Sequence, residues 1–145
     1  MHQEYIVSNF YKFLKLNKID EIKIKLKNQL INLDIKGSFL IGNEGINGSF
    51  SVKTKDLRKT ISLINSVFNE KFKFKLHSHN SHAFLRLKIK IKKEIVTIGK
   101  KSIQPFTASG QYLSPKEWEE IINCQNVIMI DTRNHYESSI GSFSS

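Results

Sequence analysis

Residues Lys36–Val52 read KGSFLIGNEGINGSFSV, and the fold follows from how this stretch is read. Phe39, Leu40 and Ile41 form an apolar run of the kind a buried strand presents, and Ile46, Phe50 and Val52 carry a second strand. Between them, Gly42-Asn43-Glu44-Gly45-Ile46-Asn47-Gly48 is rich in Gly and Asn, the residues that reach positive φ at least steric expense. A plain hairpin needs only two turn residues. The surplus predicts a wider turn that exposes backbone N–H groups and the amides of Asn43 and Asn47 beside one carboxylate, Glu44. These three residues are candidate loop contacts; the competing reading is an ordinary hairpin tip. The spacing is neither a GxGxxG that opens a helix nor a P-loop, since no GK[ST] follows. The turn by itself therefore does not indicate a nucleotide.

Upstream, Tyr5 to Leu14 (YIVSNFYKFL) is β-branched and aromatic and reads as the first strand. Asp20 is the expected N-cap of a helix over Glu21–Leu33, where Ile22, Leu26, Leu30 and Leu33 fall on one face. Downstream, a helix starting at Thr54 or Lys55 carries Leu57, Ile61, Ile64, Val67 and Phe68 as its apolar stripe. Phe72 to Leu76 alternates Phe72, Phe74 and Leu76 with lysines, as a half-buried strand does. Phe84 to Ile91 repeats the device, with Leu87, Ile89 and Ile91 set against Arg86, Lys88, Lys90 and Lys92. Glu94–Ile98 is a further strand segment. The order is βαββαβ with an extra strand, which predicts an α+β, ferredoxin-like sandwich: two helices on one face of an antiparallel sheet, the other face left to a partner or a second domain.

Gly99–Gly110 (GKKSIQPFTASG) is a break in composition and reads as a linker. The expected division is a first domain over residues 1–99, a linker over 100–112, and the start of a second domain over 113–145. In that last part Ser114 is the N-cap and Pro115 the first residue of a helix containing Trp118, Ile121 and Ile122. Val127–Ile130 then reads as a buried strand that ends in Asp131-Thr132-Arg133. About 35 residues bury too little surface for a core of their own.

The chain has 145 residues, a formal net charge of +10 and a pI near 9.7. Charge of this size speaks to partners, and nucleic acid is the obvious acidic one; a lysine-rich compositional bias accounts for part of it. No run approaches the ~18 apolar residues of a membrane span, and MHQEYIVSNFYKF has no signal-peptide pattern, so no membrane and a cytoplasmic location are expected. Cys124 is the single cysteine. It excludes an intramolecular disulfide, and without a glycine loop or basic neighbours it reads as structural rather than nucleophilic.

Arg86, Lys88, Lys90 and Lys92, extended by Lys93, put positive charges along one strand face. Such a row suits phosphates and gives salt-dependent affinity, with Phe84 near enough to stack on an unpaired base. The alternative is an ordinary solvated strand face. His77, His79 and His82 offer three imidazoles, but the stretch is expected in a loop without a neighbouring carboxylate, so no metal is assigned. Asp131 and Arg133 are read either as site residues at the end of a central strand or as an ion pair bracing loops. Glu44 is a weak candidate for a general base, and no catalytic residue is assigned.

The combination of FYKFLKL, GNEGINGSF, FLRLKIKIKKEIVTIG, YLSPKEW and VIMIDTRNHYESSIGSF, in that order, resembles the prokaryotic tRNA uridine hydroxylase family over nearly the whole chain. Its members place an acylphosphatase-like N-terminal domain before a rhodanese domain. The resemblance implies that residues 113–145 are the first strand and helix of an α/β rhodanese domain. It further implies oxygen-dependent conversion of the wobble uridine of tRNA to 5-hydroxyuridine, with tRNA as partner, molecular oxygen as co-substrate and no cofactor. The family's catalytic cysteine sits in a CTGGIRCE-like loop that no residue here matches; Cys124 precedes the D-x-R strand and does not take its place. The expectation is thus a truncated copy, or a piece whose remainder a partner chain supplies. The alternatives are a non-catalytic basic RNA-binding module and an inactive remnant. Acylphosphatase activity is not expected, because the loop Lys15–Ile19 lacks the arginine it requires.

Overall fold

The computed structural model describes residues 4–95, 110–124 and 126–142. The chain divides into two compact units, one ending at Ser109 and the other beginning at Gly110. In the first, strand β1 (Tyr5–Phe13) is followed by helix α1 (Ile19–Leu30), strands β2 (Ile35–Gly42) and β3 (Gly45–Lys53), a single 3₁₀ turn (Thr54–Asp56), helix α2 (Leu57–Phe68), and strands β4 (Lys75–His79) and β5 (Leu87–Ile91). The sheet order is β4-β1-β3-β2-β5. The first four strands pair antiparallel, and β5 lies parallel to β2 at the edge. This is the ferredoxin-like arrangement with one added strand.

Strand side chains alternate between faces, and the alternation sorts the unit in two. Phe10, Ile35, Phe39, Ile41, Ile46, Phe50 and Val52 join Leu26 and Leu30 of α1 and Ile64, Val67 and Phe68 of α2 in one buried cluster. The centre of that cluster is aromatic. The Phe10 ring lies 4.7 Å from Phe74, 5.1 Å from Phe72, 6.0 Å from Phe39 and 6.3 Å from Phe50. Gly48 makes this possible. It is paired with Phe10 on one side and Phe39 on the other, and a methyl group on it would sit 2.5 Å from Phe10 Cε1.

The hairpin that joins β2 to β3 is tighter than its composition predicts. Gly42 pairs with Gly45, so only Asn43 and Glu44 turn the chain, and neither takes positive φ. The surplus glycines serve close packing instead. A side chain on Gly45 (φ 145°) would strike the Lys12 carbonyl, and one on Gly37 would strike the Ser49 carbonyl.

Other boundaries shift for identifiable reasons. Lys18, in the left-handed region at φ 54°, opens α1 without a side-chain cap, and Asp20 lies inside the first turn, where its charge meets the helix dipole favourably. The helix stops at Leu30, three residues before the expected Leu33, and Leu33 N–H turns back to the Leu30 carbonyl at 3.0 Å. The 3₁₀ turn precedes α2, whose C-cap Asn69 takes φ 50° and donates to Asn65 and Ser66. Phe72 and Phe74 are core residues ahead of β4, and the ladder with β1 begins only at Lys75. β5 is shorter than the expected Phe84–Ile91. Of the strand expected over Glu94–Ile98, residues 94 and 95 make no ladder, and the rest lies outside the described residues, as do positions 100–109 of the expected linker.

In the second unit, α3 (Pro115–Ile122) starts as its sequence predicts. Ser114 Oγ accepts from Glu117 N–H, and Glu117 Oε2 accepts from Ser114 N–H at 2.6 Å. Asn134 and Glu137 cap the short α4 (His135–Ser138) in the same way. Val127–Ile130, expected as a buried strand, pairs with no strand among the described residues, and Ile128 is 88% exposed.

Two substitutions test this packing. Gly48→Ala forces a methyl against the Phe10 ring and is expected to lower unfolding free energy by about 1–3 kcal/mol, the range for overpacking a core. Ser8 Oγ is fully buried and has no hydrogen-bond partner among the described residues. Ser8→Ala is expected to be neutral or stabilising, because it removes an unsatisfied polar atom. Urea denaturation of both variants checks the pair.

Candidate nucleic-acid interface

The sheet face away from the helices carries the odd-numbered residues of β1, β3 and β4 and the even-numbered ones of β2 and β5. The register aligns them in rows across the strands. One row runs Lys75, Asn9, Ser49, Ser38, Lys88. The next runs Tyr11, Asn47, Leu40, Lys90. None of the five strands contains an Asp or a Glu. Along the first row the open face is small and polar between Lys75 and Lys88, along the second it carries Tyr11, Asn47 and Leu40 beside Lys90, and its strands are free of carboxylates.

The predicted basic row is part of this face. Lys88 and Lys90 are exposed on β5, opposite the half-buried Leu87, Ile89 and Ile91. Arg86 leads into the strand, and its carbonyl accepts from Gly37 N–H at 3.1 Å. Lys92 leaves the strand, its N–H donating to the Ile41 carbonyl at 2.9 Å, and Lys93 follows, also exposed. Among the described residues none of these five cations pairs with a carboxylate. A shallow hollow beside them is bordered by Ser38, Phe84, Leu85, Arg86 and Lys88, and Leu85 is 96% exposed. The other lysine-rich surface, Lys23, Lys25 and Lys27 of α1, shares its helix with Asp20 and Glu21.

Asn47 lies on the open face between Tyr11 and Leu40. Asn43 and Glu44 form the hairpin turn, and their carbonyls accept from Leu16 and Leu14 N–H at 2.9 and 3.0 Å. The Glu44 carboxylate accepts from Ile95 N–H at 2.6 Å, so it fastens the chain that leaves β5 to the turn.

His77 and His79 stand on β4 rather than in the expected loop, and His82 lies 31 residues from the serine it meets. Among the described residues no group of three His, Cys, Asp or Glu is placed to hold a metal ion. Sequence reading missed what His82 does. Its Nδ1 is 2.9 Å from Ser51 Oγ and its Nε2 is 3.1 Å from Asp34 Oδ1. A carboxylate only accepts, so His82 Nε2 donates to Asp34, and His82 Nδ1 shares a hydrogen bond with the Ser51 hydroxyl. The order of groups is that of a hydrolase triad, but Ser51 is 0% exposed and its oxygen meets no substrate. The chain of bonds, with the His82 ring 4.6 Å from Tyr5, pins the β4–β5 connection to the sheet.

Asn9, Ser38, Ser49, Lys75 and Tyr11 were also missed as site residues. Alternation along β1 puts Tyr11 on the face opposite Phe10. Tyr11 is 47% exposed and lies edge-on to Phe13, with ring centroids 6.1 Å apart.

In the second unit, Asp131 and Arg133 form a two-pronged ion pair. Arg133 Nη2 donates to Asp131 Oδ2 at 2.7 Å, Arg133 Nε donates to Oδ1 at 3.0 Å, and Nη2 also donates to the Gly141 carbonyl at 2.8 Å. The pair thus braces two loops. Cys124 is exposed at the end of α3 and its thiol donates to the Glu120 carbonyl.

The fold and this surface define a ferredoxin-like domain with a basic, carboxylate-free open sheet. Residues 5–95 match the family model described as UPF0176 acylphosphatase-like domain. Curated relatives extend the match into the second unit. A tRNA uridine(34) hydroxylase of Legionella pneumophila (strain Corby) is 33% identical over 97% of this chain and 56% of its own length. A tRNA uridine(34) hydroxylase of Pelagibacter ubique (strain HTCC1062) is 36% identical over 94% of this chain and 46% of its own. The chain belongs to the family of the UPF0176 acylphosphatase-like domain, and it spans about half the length of the curated relatives it matches.

The Arg133 hydrogen bonds hold the Asp131 carboxyl down at about 2, below the ordinary ~3.9 of an aspartate. A depressed carboxylate stabilises above its unfolded pKa, and the contribution is lost as pH falls from about 4 through about 2. NMR titration is expected to show Asp131 ionised down to about pH 2, and Arg133→Gln to return its midpoint toward ~3.9.

Proposed function

We propose that this chain is the tRNA-holding part of a wobble-uridine hydroxylase, working in the cytoplasm on tRNA with molecular oxygen as co-substrate. The names and identities of the relatives support the reaction class. The observation that carries the binding role is the row Arg86, Lys88, Lys90, Lys92 and Lys93, without a carboxylate partner among the described residues, at the edge of a sheet whose strands hold no carboxylate. Phosphates brought to it release counterions, and the affinity gained is sequence-independent and falls with salt.

Within this reading the first unit binds and orients RNA, and the oxidation step is assigned to none of the described residues. Cys124 is given no role in it: it is exposed at the end of α3, and its thiol donates to the Glu120 carbonyl. The reactive cysteine loop of the family is proposed to come from sequence that this chain does not contain, on the same polypeptide or on a partner chain.

Fluorescence anisotropy with unmodified tRNA over a salt series tests the binding role. Replacing Arg86, Lys88 and Lys90 together with Gln is expected to weaken binding at least about tenfold and to flatten the slope of log affinity against log salt by about 2, at ~0.7 per charge on unpaired RNA. An unchanged slope overturns the role of this row.

A further inference from the structure

We infer that the open face of the sheet is a platform for single-stranded RNA, with Tyr11 as the residue on which a base stacks. This rests on the proposed function and deepens it by adding a surface five strands wide to the edge row. The register places Tyr11, Asn47, Leu40 and Lys90 side by side on β1, β3, β2 and β5. The neighbouring row ends in Lys75 on one edge and Lys88 on the other. With strands ~4.8 Å apart, the two lysines stand about 19 Å from one another across the sheet.

Each part of this surface fits one part of a nucleotide. Tyr11 presents a half-exposed ring steadied by Phe13, and stacking on such a ring needs a base that is not already paired. Asn47 and Asn9 have amides that both donate and accept, as base edges require. Ser38 and Ser49 keep the middle of the sheet low, so a planar group can lie close to the backbone. Lys75, Lys88 and Lys90 border the surface with charges suited to phosphates, and no strand carboxylate repels them. An open sheet of four strands with exposed aromatic residues can stack about two or three bases, and this face is one strand wider. An acidic protein surface would match the lysines, but it would leave the ring and the amides between them without a purpose.

The test uses the whole chain and a fluorescein-labelled single strand of about eight nucleotides, with an RNA duplex of equal charge as competitor. Tyr11→Ala is expected to weaken single-strand binding about 5- to 150-fold, the range for losing one stacked base, with the salt slope unchanged. Tyr11→Phe is expected to bind like the parent. Lys75→Gln is expected to lower the slope by about 0.7, and the duplex to compete poorly. Circular dichroism confirms that the variants are folded; Tyr11 and Lys75 are both exposed, so the core is untouched. If Tyr11→Ala and Lys75→Gln bind normally while the Arg86/Lys88/Lys90 variant does not, the platform is wrong and the edge row alone holds RNA. Equal competition by the duplex also overturns the platform. Failure of the unaltered chain to bind any RNA overturns both the platform and the proposed function.

Discussion

Everything on the functional face depends on the Phe10 ring lying over Gly48. The ring fills the space where a side chain on β3 would stand, and it touches Phe39, Phe50, Phe72 and Phe74 from that position. The observed pairing of β1 with β3 brings Phe10 opposite Gly48. A slip of one residue would turn every side chain of β1 to the other face, burying Tyr11 and Asn9 and exposing Phe10. The aromatic core therefore fixes the composition of the surface behind it. The same glycine also faces Phe39 across β2, so one missing Cβ sets the register on both sides of the central strand.

Given that register, the charge of the chain acquires a direction. A net charge of +10 spread evenly would attract any polyanion weakly. Here the acidic residues of the first unit sit at strand ends, in turns and on helices, and several are occupied: Glu70 pairs with Lys12 at 2.8 Å, Glu21 with Lys18, and Asp34 with His82. The strand lysines of the open face keep their charge for an external partner, apart from Lys53, which lies 4.0 Å from Asp34. Salt screens such exposed charges within about 10 Å at 0.1 M, so affinity and orientation come from the assembled face rather than from any one lysine.

Much of this was legible in the sequence because it rests on local periodicity. The alternation of Leu87, Ile89 and Ile91 with Lys88 and Lys90 gave the buried and open sides of β5, and Ser114-Pro115 with Glu117 gave the start of α3. What was not legible depends on partners distant in sequence. The glycines at 45 and 48 looked like a wide turn, although they answer to Lys12 and Phe10. The Ser51–His82–Asp34 bonds join residues 31 and 48 positions apart, and nothing near any of them announces the contact. Phe72 and Phe74 signalled burial correctly, but the β4 ladder begins beyond them, since burial and strand pairing are separate conditions. Tyr11 carries no local mark of its face, because the first strand is apolar and aromatic on both sides of Phe10 until the register is known.

The most direct measurement is a ¹H–¹⁵N NMR titration of the chain with a short single-stranded RNA. The account predicts that the signals that move belong to Asn9, Tyr11, Asn47, Ser49, Lys88 and Lys90, with the exposed side of α1 unaffected. Perturbations confined to Lys23, Lys25 and Lys27 of α1, or none at all at saturating RNA, would contradict it.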